Sequence, residues 1–239
     1  MRLIGIVAAI AALACLLVPA IALAQGGVRQ SAELRFTERE PATSTGFTLD
    51  IDYVNPRDQR AKPPSVRRVV ERFASGTRID TAVPARCTAA DPILIVRGAA
   101  ACPAGSRVGA GTIVVDTGLP LGPVRFLRTD VVFLNNTDQL IFLVTERITG
   151  LRFVFRSSVA ESRITSTSPF LPGMLPDGSA IDVVHARIEP IAREIGGVRR
   201  GYVTTPPECP TDGAWTNSIA FTYADGVTQT VDTRSDCVE

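Results

Sequence analysis

Alternation of apolar and polar side chains, repeated along most of the chain, constrains the fold more than any other feature of the sequence. Phe47, Leu49, Ile51 and Tyr53 share one face of a strand, with Thr48, Asp50 and Asp52 on the other. Leu151, Phe153 and Phe155 alternate with Arg152, Val154 and Arg156 in the same manner. Val124–Leu134 and Gln139–Glu146 flank Asn135-Asn136-Thr137-Asp138, which is hairpin-turn chemistry. Ser218–Tyr223 and Val227–Thr233 flank Asp225-Gly226, a pair that predicts a two-residue type I′ turn. Further strands are predicted at Glu33–Glu38, Arg78–Thr81, Thr112–Asp116, Ser162–Ser166 and Ile181–Ile188. So many short strands between Gly, Pro and Asn/Asp turns imply a sandwich or a barrel. The expectation is an all-β chain forming a single β-sandwich, jelly-roll or Ig-like.

Two stretches depart from simple alternation. Val66, Val69, Val70 and Phe73 have helical spacing behind Ser65, but the segment is rich in Val and is read as a strand. Asp91-Pro92-Ile93 through Gly98 predicts one short helix, with Asp91 as N-cap, Pro92 at the first helical position and Gly98 past the end. That helix falls between Cys87 and Cys102. The run Leu140-Ile141-Phe142-Leu143-Val144 predicts a strand buried on both faces, or alternatively the wall of a cavity for a lipid tail.

The N-terminus indicates a destination. Met1-Arg2 precedes an apolar run from Leu3 to Ala22 that ends in Ala22-Leu23-Ala24, the layout of a secretory signal peptide cleaved before Gln25. The expected division is residues 1–24 as signal peptide, 25–45 as an N-terminal extension and first strand, and 46–239 as the β-sandwich domain. No later segment is long enough to span a bilayer, so the mature protein is not expected to be an integral membrane protein. It is expected to be secreted, in the extracellular space or the cell envelope. Removing the leader takes Cys15 with it and leaves Cys87, Cys102, Cys209 and Cys237. An even cysteine count in an exported chain implies disulfides, with three connectivities open. Neighbour pairing, Cys87–Cys102 and Cys209–Cys237, closes loops of modest length and is the expected one; each closure contributes roughly 3 to 3.5 kcal/mol in the chain-entropy model. Paired CxxC or Cys/His spacing for zinc is absent.

Composition excludes further classes. With 25 basic and 24 acidic residues the chain lacks the positive field of a nucleic-acid binder, and none is expected as a partner. All basic residues except Lys62 are Arg, which is read as genomic codon bias. Phosphate-loop, dinucleotide and zinc-protease signatures are missing, and no cofactor or metal is expected.

Three residues are the catalytic candidates, all weak: Asp50, Asp52 and His185. His185 is the one histidine, so any Ser-His-Asp mechanism passes through it, with Asp182 three residues earlier. No G-x-S-x-G elbow accompanies it; Gly105-Ser106-Arg107-Val108-Gly109 puts Ser beside the first Gly. Asp50 and Asp52 share a strand face roughly 6.6 Å apart, compatible with glycosidase carboxylates or with calcium ligands joined by Asn55 and Asp58. The same alternation is found on any solvated strand. Trp215, six residues after Cys209, is read as core packing rather than a sugar platform.

Pro84-Ala85-Arg86-Cys87, then Ala101-Cys102-Pro103 leading into Ser106-Arg107-Val108-Gly109-Ala110-Gly111, resembles a group of uncharacterised exported proteins of actinobacteria. Thr205-Pro206-Pro207-Glu208-Cys209-Pro210, Gly213-Ala214-Trp215, Tyr223-Ala224-Asp225-Gly226 and Cys237 extend the likeness over most of the chain. The resemblance implies one cysteine pair around a short helix and a second pair enclosing the Trp and a terminal hairpin. It carries no activity. Ala74-Ser75-Gly76 departs from the pattern, which has Pro before that Gly. The functional expectation is a non-catalytic binding module of the envelope or extracellular space, for a protein, a glycan or a lipid. The alternatives are an extracellular hydrolase using Asp50/Asp52 or His185, and a carrier of a hydrophobic ligand.

Overall fold

The structure, a computed structural model, describes residues 27–120, 125–168, 173 and 178–238. The leader, Cys15 and the Ala24/Gln25 junction lie outside the described residues. In chain order the strands are β1 (Gln30–Phe36), β2 (Ser44–Thr45), β3 (Phe47–Tyr53), β4 (Val66–Arg72), β5 (Arg78–Ile79), β6 (Arg107–Asp116), β7 (Phe126–Asn136) and β8 (Gln139–Glu146). They continue with β9 (Arg152–Ala160), β10 (Arg163–Thr167), β11 (Ala180–Ile188), β12 (Ala192–Ile195), β13 (Val198–Gly201), β14 (Val203–Thr204), β15 (Ala214–Tyr223) and β16 (Thr228–Asp236). One α-helix, α1 (Asp91–Arg97), lies between β5 and β6.

Eleven strands form one antiparallel sheet in the order β1-β3-β11-β6-β7-β8-β9-β10-β4-β15-β16. The all-β class, one short α-helix among the described residues and both disulfides are as the sequence implies. Where the sequence predicts a β-sandwich, the all-β chain nearly closes a barrel: one sheet curls until β16 lies beside β1, instead of two sheets stacking. β1 is the strand expected within residues 25–45, and it is integral to the large sheet. Side chains close the remaining seam. Thr233 Oγ1 donates to the Leu34 carbonyl at 3.1 Å, and the Phe36 N–H donates to Ser235 Oγ at 3.1 Å. Asn217, buried on β15, donates to Ser235 Oγ at 3.1 Å and accepts the Ala74 N–H at 2.9 Å. Further along the seam the Arg29 guanidinium forks onto Asp225 at 2.9 and 2.8 Å and stacks over the Tyr223 ring. These contacts cover two strand edges that would otherwise present free backbone groups.

The two ends of the barrel differ. At one end Phe36, Phe47, Phe73 and Trp215 pack ring against ring, with centroids 5.0 to 6.1 Å apart. The small sheet β2-β14-β5 and the Cys209–Cys237 disulfide lie at this end. Trp215 is buried there, and its indole N–H donates to the Glu208 carbonyl at 2.9 Å, so it is a core residue as expected.

The Cys87–Cys102 loop covers part of the outer wall. Leu94 of α1 packs on Leu134, Ile141 and Leu143, while Leu140, Phe142 and Val144 of the same strand face inward. This burial on both faces is why β8 shows no alternation. Asp91 is inside the first turn of α1 rather than at its N-cap, which is Ala90, because its carboxylate is taken by Arg156 Nε at 2.8 Å. Arg152 donates to the carbonyls of Ile95 and Val96, satisfying the last turn.

Two turns differ from the sequence expectation. Asn135 and Asn136 continue β7, leaving Thr137-Asp138 as the turn, with Asp138 at φ 50°. Buried Asn135 is drawn into the strand because its amide donates to the carbonyls of Thr81 and Ala85. The last hairpin has three loop residues, closed by the Tyr223 N–H donating to the Val227 carbonyl, with Gly226 at φ 84°. A type I′ pair requires positive φ at both Asp225 and Gly226; Asp225 instead caps the Val227 N–H and pairs with Arg29.

Candidate functional site

Inward-facing side chains of the barrel do not fill it. Eleven strands at the usual spacing and tilt give a radius of roughly 11 Å, against roughly 8 Å for eight strands. β6 contributes little bulk to the wall beside β11, because Gly109 and Gly111 occupy register positions opposite Ile188 and Ala186. A Cβ at Gly111 would lie 2.3 Å from the His185 carbonyl oxygen, and one at Gly109 would lie 2.1 Å from that of Arg187. Only glycine permits these approaches. Inside the barrel lies a cavity of about 250 Å³.

Its wall is apolar over most of its extent: Leu49 and Ile51 from β3, Phe142 and Val144 from β8, Phe155 from β9 and Val184 from β11 are representative. Polar atoms are few. Ser157 and Ser166 satisfy one another, Oγ to Oγ, at 2.8 Å, and the Thr129 hydroxyl donates to the Ile113 carbonyl at 2.9 Å.

Glu71 is the exception. It projects from β4 between Ile164 of β10 and Ile219 of β15, its register partners, and it is buried. Among the described lining residues it is the one carrying a full charge when ionised, and its Oε2 has no hydrogen-bond partner. Burial pushes its carboxyl up from the ordinary 4.5 to about 7. Burial also raises the Tyr53 phenol, helped by the nearby Tyr223 and Glu71. Nothing in the sequence singled out Glu71, because an acidic residue in a strand ordinarily faces water.

The catalytic candidates lie on the opposite, outer face. His185 on β11 pairs in register with Asp50 on β3, and His185 Nδ1 is 2.7 Å from Asp50 Oδ1. Both side chains are about half exposed. The carboxylate that meets the histidine is therefore Asp50 and not Asp182, since Asp50 is its cross-strand partner while Asp182 lies at a bulge in β11. Partial burial, with Asp116 and Asp52 close by, raises the Asp182 carboxyl. Thr112 of β6 follows His185 in the register, and a groove lined by Thr112, Asp182 and His185 runs along this wall. Asp52 shares the outer face but pairs in register with Ser31 and Val183. The loop oxygens considered for calcium are occupied locally: Asn55 Oδ1 accepts the Arg57 N–H and Asp58 Oδ1 accepts the Arg60 N–H, each at 3.0 Å. Among the described residues no group of three His, Cys, Asp or Glu side chains could hold a metal ion.

No described helix is long and apolar enough to cross a membrane. On β3 and β11 the wall is apolar inside and carries Asp50, Asp52, His185 and Arg187 outside. Comparison with protein-family models, with curated proteins and with solved structures finds no match.

Proposed function

We propose that this protein is an exported, non-catalytic binding protein whose barrel holds a small apolar molecule. The observation that carries the reading is the apolar cavity of about 250 Å³, set in a barrel whose other end is packed solid by aromatic rings. An apolar cavity of about 150 Å³ already admits benzene, so this volume suits a larger ligand or one end of a long chain. A few polar groups on an otherwise apolar wall are the usual makeup of a small-molecule pocket. Phe153 lines the cavity and is 42% exposed, which gives a ligand an apolar side chain to cross at the end of the barrel away from the aromatic plug. Ile148 and Leu151, in the connection before it, are also exposed.

Export rests on the Met1–Ala24 leader pattern and on two disulfides, which persist in oxidising compartments. The likeness to exported actinobacterial proteins points the same way. The test is native mass spectrometry of the protein recovered from its host, repeated after denaturation. Extra native mass of a few hundred daltons, released on denaturation, is the expected result, together with a chain beginning at Gln25. A bare protein that also fails to bind apolar fluorophores would overturn the reading.

A further inference from the structure

Building on the proposed cavity function, we propose that the barrel selects an apolar ligand ending in a hydrogen-bond donor, an amine or a hydroxyl, and rejects fatty carboxylates. The selecting atom is Glu71 Oε2. Buried carboxyl oxygens almost always have a partner, and this one has none among the described residues. Ile164 and Ile219 flank it on the neighbouring strands, and the described lining residues include no Lys, Arg or His to neutralise it. The titratable group shown near it is the phenol of Tyr53, which carries no positive charge at neutral pH.

A ligand N–H or O–H placed at Oε2 supplies the missing bond without leaving a second unpaired group, and an ammonium adds charge assistance. A carboxylate does the reverse. Two carboxyls in one apolar site cannot both ionise, so one must take up a proton on binding. That requirement is costly on the alkaline side of Glu71's titration at about 7 and vanishes on the acid side, where the protein already carries the proton.

The test uses the disulfide-bonded protein and three probes with the same tail: dodecylamine, dodecanol and dodecanoate, titrated calorimetrically at about pH 8, where a free carboxylate is fully ionised. The amine is expected to bind about tenfold to a hundredfold more tightly than dodecanoate, the size of one charge-assisted hydrogen bond. Near pH 5 the gap should shrink by at least about tenfold. Glu71→Gln, of nearly the same shape, should bring amine and carboxylate within about threefold of each other. Dodecanol equal to the amine also supports the proposal and assigns selection to hydrogen bonding alone. Dodecanoate matching the amine, or an unchanged ratio in Glu71→Gln, overturns the head-group proposal while leaving the cavity reading intact. No binding of any probe overturns both. The wild-type comparison stands even where the variant folds poorly.

Discussion

Glu71 should make the protein less stable in alkali than in mild acid, by an amount the structure fixes. Its carboxyl titrates at about 7 in the folded barrel against an ordinary 4.5 in an open chain, because burial disfavours the charged form and no cation offsets it. Between those two values the folded state holds the extra proton, so unfolding free energy falls as pH rises from about 4.5 to about 7 and is level beyond. At about 1.4 kcal/mol per pH unit, the full loss is about 3 kcal/mol. Glu71→Gln removes the titration; an unpaired buried amide costs about 1–3 kcal/mol instead, at every pH. The assay is urea unfolding of both proteins at several pH values from 4.5 to 8.5 with disulfides intact, read as the difference between them. Subtraction cancels the other titrating groups, among them Asp225 and Asp212, whose carboxyls are held low by Arg29 and Arg234 and so lose stability in the opposite direction, toward acid. The variant should gain on the wild type by about 3 kcal/mol across that range, with the change centred between 4.5 and 7. A difference that does not vary with pH would refute the claim that burial holds the Glu71 carboxyl above its ordinary range.

Filling the cavity with Ala186→Phe should abolish binding of apolar fluorophores while the protein keeps its fold, because Ala186 lines the cavity; retained binding would place the ligand elsewhere. Asn217→Ala strands the Ala74 N–H and weakens the β1–β16 seam, at an expected cost of about 2–4 kcal/mol in denaturant unfolding. Gly111→Ala meets the His185 carbonyl oxygen at 2.3 Å and should cost more than about 3 kcal/mol or prevent folding, whereas Gly213→Ala has open space around it and should cost only its positive φ, about 1 kcal/mol. His185→Gln should change stability by less than about 1 kcal/mol, since its pair with Asp50 is half exposed; a larger loss would mean that the pair is structural.

Local chemistry made much of the fold readable. The alternation in Phe47–Tyr53 requires one apolar face, so the strand and its inner side follow from residues that are near neighbours. Pro92, Gly98 and the enclosing cysteines delimit α1 in the same local way. The misread details were those where a distant group outcompeted the local preference. Arg156 moved Asp91 off the cap, carbonyls of the Thr81–Ala85 segment drew Asn135 into β7, and Arg29 held Asp225 out of a type I′ geometry.

The functional residues divide along the same line. Asp50 and His185 were visible as residue types, but that they meet each other, on the outer wall, depends on the register of β3 against β11, which pairs positions 135 residues apart. Phe142 in β8 was readable as either core or cavity wall, since burial looks the same in sequence whether the space beyond a side chain is filled or empty. Glu71 gave no signal at all. Its neighbours in the chain, Val70 and Arg72, are those of an ordinary strand, and its isolation arises from Ile164 and Ile219 on other strands. Sequence determined most of the long strands and the face of each that avoids water, and it favoured the neighbour pairing of the cysteines, but the short strands β2, β12, β13 and β14 went unread. Tertiary structure decided how many strands share one sheet, and thus how wide the barrel is, because closure sums the twist and pairing of all eleven strands and no single segment encodes that sum.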